Sequence, residues 1–238
     1  MLEAFGLSDP GCVRTNNEDY FISDKASGIF ILADGMGGAQ AGEHASRISA
    51  EHLYSFLLSM GGVDGLSMLE LGFEEAHRAV REVARAHPEM DGMGTTMLAA
   101  LEVTPNQMQV ASVGDSRAYL SSAGQLSLVT RDQTWVAEVG SKLGLSAQAL
   151  KSHPMRHVLT MAIGSEEALR VDSQVFAFAE GDQLLLCSDG LHGVVDEEFL
   201  AQTLVSEKSL SEKCHYLVEA ARARGGPDNV TVVLIQFV

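Results

Sequence analysis

Residues 94–129 read GTTMLAALEVTPNQMQVASVGDSRAYLSSAGQLSLV. Short apolar runs alternate here with turn-forming triplets such as TPN and SAG, the texture of an antiparallel meander. Upstream, the apolar run IFILA (29–33) stops at Asp34-Gly35 and reads as a buried strand entering a turn. Apolar positions then recur at helical spacing over 43–60, at Ala45, Ile48, Leu53, Phe56, Leu57 and Met60. A second helix is predicted from about 64 to 87 on Leu66, Leu69, Phe73, Ala76, Val80 and Val83, and Pro88 closes it. Its stripe is too short for a coiled coil, so it faces a core.

Downstream, residues 174–178 and 183–188 predict a strand pair around Glu180-Gly181-Asp182. Asp196 can cap a helix over 197–205, and Ser209 with Glu212 forms a capping-box pattern opening a last helix to about Arg224. Gly225-Gly226-Pro227 stops that helix, and VTVVLIQFV (230–238) is apolar enough to be a buried strand. Helices and hairpins are segregated along the chain, which favours α+β layers over a doubly wound parallel sheet. With no low-complexity linker and no internal repeat, residues 1–238 read as one domain.

Acidic residues number 32 against 16 basic, a net charge of −16, which argues against binding nucleic acid or an anionic membrane. No apolar run approaches the roughly 20 residues of a membrane span, and residues 1–11 lack the pattern of a secretory signal. Cys12, Cys187 and Cys214 form no CxxC pair, so neither a disulfide framework nor a zinc knuckle is indicated, and a reducing cytoplasm is the expected location.

The positions of the carboxylates carry the chemistry. Asp34 ends the IFILA strand, Asp115 follows QVASVG, Asp189 follows QLLLCS, and Asp228 precedes the last strand. Any one Asp-Gly step is ordinary turn chemistry. Four at the ends of buried strands imply convergence, and converging carboxylates need protons or cations. Hard oxygen ligands without His or Cys select Mg²⁺, Mn²⁺ or Ca²⁺ over zinc, and the EF-hand pattern is absent. Asp34-Gly35-Met36-Gly37-Gly38 imitates a dinucleotide fingerprint, yet its third glycine would fall at Gln40, and Asp34 would face a pyrophosphate.

Six motifs occur in order: RTNNED (14–19), DGMGG (34–38), GTT (94–96), GDSR (114–117), SDG (188–190) and DNVTV (228–232). Together they resemble the type 2C metal-dependent protein phosphatases, in their compact bacterial form. The resemblance spans nearly the whole chain. It implies a four-layer α-β-β-α sandwich, two antiparallel sheets flanked by helices, with a binuclear Mn²⁺ or Mg²⁺ centre at one end. It implies substrates that are proteins phosphorylated on Ser or Thr, hydrolysed by a metal-bridging hydroxide. A cognate serine/threonine kinase and a monomeric state are the corresponding expectations.

Residue by residue, the resemblance implies that Asp34 bridges two metals and that the Gly35 carbonyl completes the first metal's shell. Asp189 and Asp228 bind the second, and Glu18 acts through a metal-bound water. Asp19 and Asn229 stand behind these ligands. Arg14 holds the substrate phosphate; its competing role is a surface ion pair with Glu18. Asp115 resembles a ligand of a third, weaker metal site, or else fixes the turn through Ser116 and Arg117. Where relatives often carry a further Asp, this chain has Gly193, which puts that third site in doubt. Where many carry a His after the Asp-Gly pair, it has Met36, a packing or substrate-rim residue. The general acid is therefore a metal-bound water by default, with His157 and His192 as substitutes whose simpler roles are structural or at the surface. Residues 131–165 correspond to a flap beside the active site, in which Trp135 is expected to pack into the core.

Overall fold

The computed structural model describes residues 1–37, 41–60, 67–140, 142–144, 149–150 and 153–238. Gly38, Gln40, Leu66 and positions 141, 145–148 and 151–152 of the flap lie outside the described residues. The elements run β1 (Leu2–Asp9), β2 (Asp19–Asp24), β3 (Ile29–Met36), α1 (Ala41–Met60), α2 (Ser67–Ala86), β4 (Gly94–Thr95), β5 (Met97–Thr104), β6 (Gln107–Val113), β7 (Arg117–Ser122) and β8 (Gln125–Leu128). They continue with β9 (Asp172–Ala177), β10 (Gln183–Cys187), α3 (Asp189–His192), α4 (Glu197–Leu204), α5 (Leu210–Ala223) and β11 (Val230–Phe237).

The apolar runs are continuous because most strands bury both faces. Side chains alternate across a strand, so Ile29 and Ile31 of β3 pack outward beneath α1 and α2, while Phe30 and Leu32 enter the layer between the sheets. In β11, Val232 and Leu234 face the C-terminal helices, and Val233 and Ile235 meet the same inter-sheet layer. Each such fully buried side chain contributes about 1.5–3 kcal/mol. The result is an α-β-β-α sandwich of two antiparallel sheets. One has the order β1-β11-β10-β7-β8, the other β2-β3-β5-β6-β9 with β4 beside β3.

Two hairpin expectations are corrected. The 94–129 stretch is divided between sheets: β5 pairs with β6 in one, β7 with β8 in the other, and the chain crosses at Gly114-Asp115-Ser116. Likewise 174–178 and 183–188 do not pair. β9 lies beside β6, whereas β10 lies between β7 and β11. Gly181 between them donates its N–H to the Phe237 carbonyl at 2.8 Å. A Gly-Asp corner that changes sheets uses the same turn chemistry as a hairpin, and β6, β7 and β10, buried on both faces, carry no alternation to separate the two.

The helix signals are realised. Asp196 Oδ1 accepts the Phe199 N–H at 2.9 Å, and Ser209 with Glu212 closes a reciprocal capping box at the start of α5. Trp135 is half-buried, stacked on His153 with ring centroids 4.7 Å apart, so it packs on its own 131–165 stretch instead of the core. Among the described residues no helix is long and apolar enough to cross a membrane.

Candidate active site

β2 and β3 pair so that Asp19 lies directly opposite Asp34. Like charges in that position oppose pairing, so the surrounding structure must hold them there. Asp34 is fixed through its backbone: its N–H donates to Thr96 Oγ1 at 3.0 Å, and its carbonyl accepts Thr95 Oγ1 and the Thr96 N–H, each at 2.8 Å. Thr96 Oγ1 also lies 2.8 Å from Ser116 Oγ, which ties the Asp34 strand to the corner bearing Asp115. The GTT motif is thus a clamp, a role its sequence signal left unassigned.

Gly35 must be glycine for space. A Cβ there would meet the Gly42 carbonyl oxygen at 2.1 Å and the Glu18 carbonyl oxygen at 2.7 Å. The same close approach brings the Glu18 carboxylate against Gly42 in the first turn of α1. Asn229 anchors the segment that carries Arg14 and Glu18. Its Oδ1 accepts the Glu18 N–H at 2.8 Å, and its Nδ2 donates to the carbonyls of Asn16 (2.8 Å) and Pro10 (3.1 Å).

In the other sheet, Ser188 joins the strand ends. Its Oγ accepts the Thr231 N–H at 3.0 Å and donates to Asp19 Oδ2 at 2.9 Å. Asp189 follows at the start of α3, beside Gly190, where a Cβ would meet the Asn229 carbonyl oxygen at 1.9 Å. Arg14, Glu18, Asp34, Asp115, Asp189 and Asp228 thereby line one cavity of about 700 Å³, with Asp19 beneath it. These are the carboxylates the sequence singles out.

Their electrostatics record the crowding. Burial, then Asp19, Asp189, Asp115 and Asp228, push the Asp34 carboxyl well above the ordinary carboxylate range. Burial, then Asp189 and Asp132, push Asp115 up to about 7, and burial pushes Asp19 to about 7. Glu18 is raised, chiefly by burial. Asp189 alone of these moves down: burial opposes ionisation, but His157, His192 and Arg14 outweigh it. Among the described residues Asp19 Oδ1 is buried without a hydrogen-bond partner.

Five expectations resolve further. The partner of Arg14 is Asp228, at 2.8 Å, in place of Glu18. His192 is structural: its Nε2 lies 2.9 Å from the Asp115 carbonyl oxygen, and burial lowers its pKa to about 4, so it is neutral and donates that bond. His157, for which a structural or surface role was the simpler expectation and general acid the alternative, lines the cavity with Nδ1 3.6 Å from Asp189 Oδ2. Met36 is a rim residue, 38% exposed at the cavity mouth. Arg117 forks onto both Asp132 oxygens at 2.9 and 2.7 Å, so the turn after Asp115 is held by Asp132.

Residues 13–234 match the family model described as protein phosphatase 2C. The chain belongs to the protein phosphatase 2C family. This family member is 35% identical over 238 residues to the serine/threonine phosphatase stp of Listeria welshimeri, covering 96% of this chain and 93% of the relative. The crystal structure of the Mycobacterium tuberculosis serine/threonine phosphatase PstP/Ppp superposes with a TM-score of 0.91 at 34% identity, over 99% of this chain and 98% of that one. The catalytic domain of PstP in complex with two manganese ions gives a TM-score of 0.88 at 33% identity, over 99% and 97% of the two chains. The four-layer architecture is therefore the protein phosphatase 2C fold.

Proposed function

We propose that the carboxylate cavity is the catalytic centre of a metal-dependent protein serine/threonine phosphatase. The observation that carries this reading is the convergence of Asp34, Asp115, Asp189 and Asp228 with Arg14 in one cavity at the end of the sandwich. The donor set fits hard divalent cations. It is all oxygen, the surrounding carboxylates raise the proton affinity of Asp34, and the buried Asp19 Oδ1 has no hydrogen-bond partner among the described residues. Asp34, the Gly35 carbonyl, Asp189, Asp228 and Glu18 would hold two Mn²⁺ or Mg²⁺ ions, with Asp115 available to a third. When bound, such ions polarise phosphate oxygens and lower the pKa of water.

The protein's own groups supply position. Arg14, half-exposed and tethered by Asp228, presents its remaining N–H groups to the cavity, where a planar fork suits two phosphate oxygens. Asp19, Ser188 and Asn229 fix the segments bearing Glu18, Asp189 and Asp228. Water adds to phosphorus, the bond to the serine or threonine oxygen breaks, and that oxygen takes up a proton. With Met36 at the rim and His192 committed to a carbonyl, His157 is the imidazole placed to deliver it.

The family membership and the phosphatase relatives support phosphorylated Ser/Thr proteins as substrates. We further infer a single-domain monomer working opposite a serine/threonine kinase in the cytoplasm; three interlocked cores across one sandwich, and free buried thiols at Cys187 and Cys214, support that picture. The test is hydrolysis of a phosphothreonine peptide with Mn²⁺, with Mg²⁺ and with EDTA, alongside nucleotides. Metal-dependent turnover that favours the peptide is expected. Faster nucleotide turnover, or activity that survives chelation, would overturn the reading.

A further inference from the structure

Beyond the catalytic cavity, β3 runs on to Met36, about 7 Å past Asp34 at ~3.3 Å per residue. The Met36 side chain is a wall shared by two hollows, the catalytic cavity and a neighbouring cleft of about 410 Å³. Gly94 makes room for it, since a Cβ there would come within 3.1 Å of Met36 Cε. Met93 and Ala162 give the cleft an apolar floor. Arg81 and Arg85 of α2 line it, with Asp91 and Glu166 as its carboxylates. The two arginines also line a further hollow of about 590 Å³ along α2, so they stand between two open depressions.

Arg81 and Arg85 are four residues apart and share a helix face, where like charges oppose each other. Neither makes an ion pair or a hydrogen bond among the described residues, although Glu166 and Asp91 share the cleft. Their neighbour Arg78, by contrast, is paired with Glu75 at 3.0 Å. In a chain of net charge −16, two unpaired guanidiniums beside the catalytic mouth are placed to receive an anion from outside.

We propose that the cleft beyond Met36 is a docking subsite for the part of the substrate that flanks the phosphoresidue, where Arg81 and Arg85 together receive one anionic side chain. This rests on the phosphoprotein phosphatase reading above. A peptide whose phosphoresidue occupies the cavity reaches the cleft after about three to five residues in extended form, at ~3.3 Å per residue. A carboxylate and a second phosphate offer the same chemistry, and the peptide set separates them.

The experiment uses the full chain with Mn²⁺ and measures kcat and KM on phosphothreonine peptides. One peptide has neutral flanks. Others carry Glu, or a second phosphothreonine blocked from turnover as a phosphonate, three to five residues to either side. The enzymes are wild type, Arg81→Ala/Arg85→Ala and, as a control on the same helix, Arg78→Ala, with p-nitrophenyl phosphate as the flank-free substrate. Wild type is expected to favour the anionic peptides by about tenfold in KM. The double variant should lose that preference, with kcat and p-nitrophenyl phosphate turnover unchanged, while Arg78→Ala retains it. A larger effect from the phosphonate arm would mark a doubly phosphorylated substrate, and an equal one an acidic substrate; both support the subsite. Turnover of the neutral peptide without preference, or a preference that survives in the double variant, would overturn the subsite and leave the phosphatase reading intact. Absence of any phosphopeptide turnover would overturn both.

Discussion

Replacing Asp115 by Asn should stabilise the metal-free protein at alkaline pH, and the size of the gain follows from its surroundings. Burial and the neighbouring carboxylates raise the Asp115 pKa from 3.8 to about 7. The folded state therefore holds a proton that the unfolded chain has already released, and folding is progressively penalised as pH rises from about 4 towards 7. The penalty grows by about 1.4 kcal/mol per pH unit, or roughly 3 kcal/mol between pH 5 and pH 7, and is constant above. Asn keeps the shape and has no proton to lose. Because Asp115 also raises Asp34, removing it eases ionisation there as well, which adds in the same direction. Urea unfolding of both proteins in EDTA at pH 5, 6, 7 and 8 should show a stability gap that widens to about pH 7 and then flattens. In saturating Mn²⁺ the gap should shrink or reverse, since wild type alone then offers the Asp115 carboxylate to the cations. A gap independent of pH, or a variant less stable than wild type at pH 8 in EDTA, would refute the electrostatic reasoning.

Asp34→Ala and Asp189→Ala should each lower phosphopeptide turnover by at least about two orders of magnitude, measured at saturating Mn²⁺; near-wild-type rates in either would remove those residues from the centre. Gly35→Ala should destabilise the fold by roughly 1–3 kcal/mol or more, because its methyl would meet the Gly42 backbone at 2.1 Å. Denaturant titration reads this, and unchanged stability would contradict the close approach. Mn²⁺ at about 100 times its Kd should stabilise the wild-type fold by about 2.7 kcal/mol, seen as a rise in Tm, and a melt indifferent to millimolar Mn²⁺ would argue against a cation site that exists in the folded state.

The carboxylate cluster is unusually legible in this chain because each of its aspartates stands at one terminus of an apolar run. Asp34, Asp115, Asp189 and Asp228 needed no knowledge of which strand pairs with which. Strand pairing itself was hidden. The corners at Gly114-Asp115 and Glu180–Asp182 carry ordinary turn residues, and nothing local says that the chain changes sheets there. β1 was missed because LEAFGLSD is broken by Gly6, whose missing side chain leaves room for the Phe21 ring; a Cβ would lie 2.3 Å from Phe21 Cε2. That contact joins residues from different sheets and leaves no trace in either segment alone. The partner of Arg14 was obscured for a similar reason, since Asp228 is remote in sequence while Glu18 is one helical turn away in number only.

The acidic cluster is assembled from two separate sheets: Asp19 and Asp34 from one, Asp189 and Asp228 from the strand ends of the other. All four stand at strand ends or within two residues of one. Their spacing is inherited from how Phe30, Leu32, Val233 and Ile235 mesh in the layer between. The interior of the sandwich is in this sense the ruler of the site. Trimming a methyl group from that layer, remote from any phosphate, would alter the distance between the carboxylates of the two sheets.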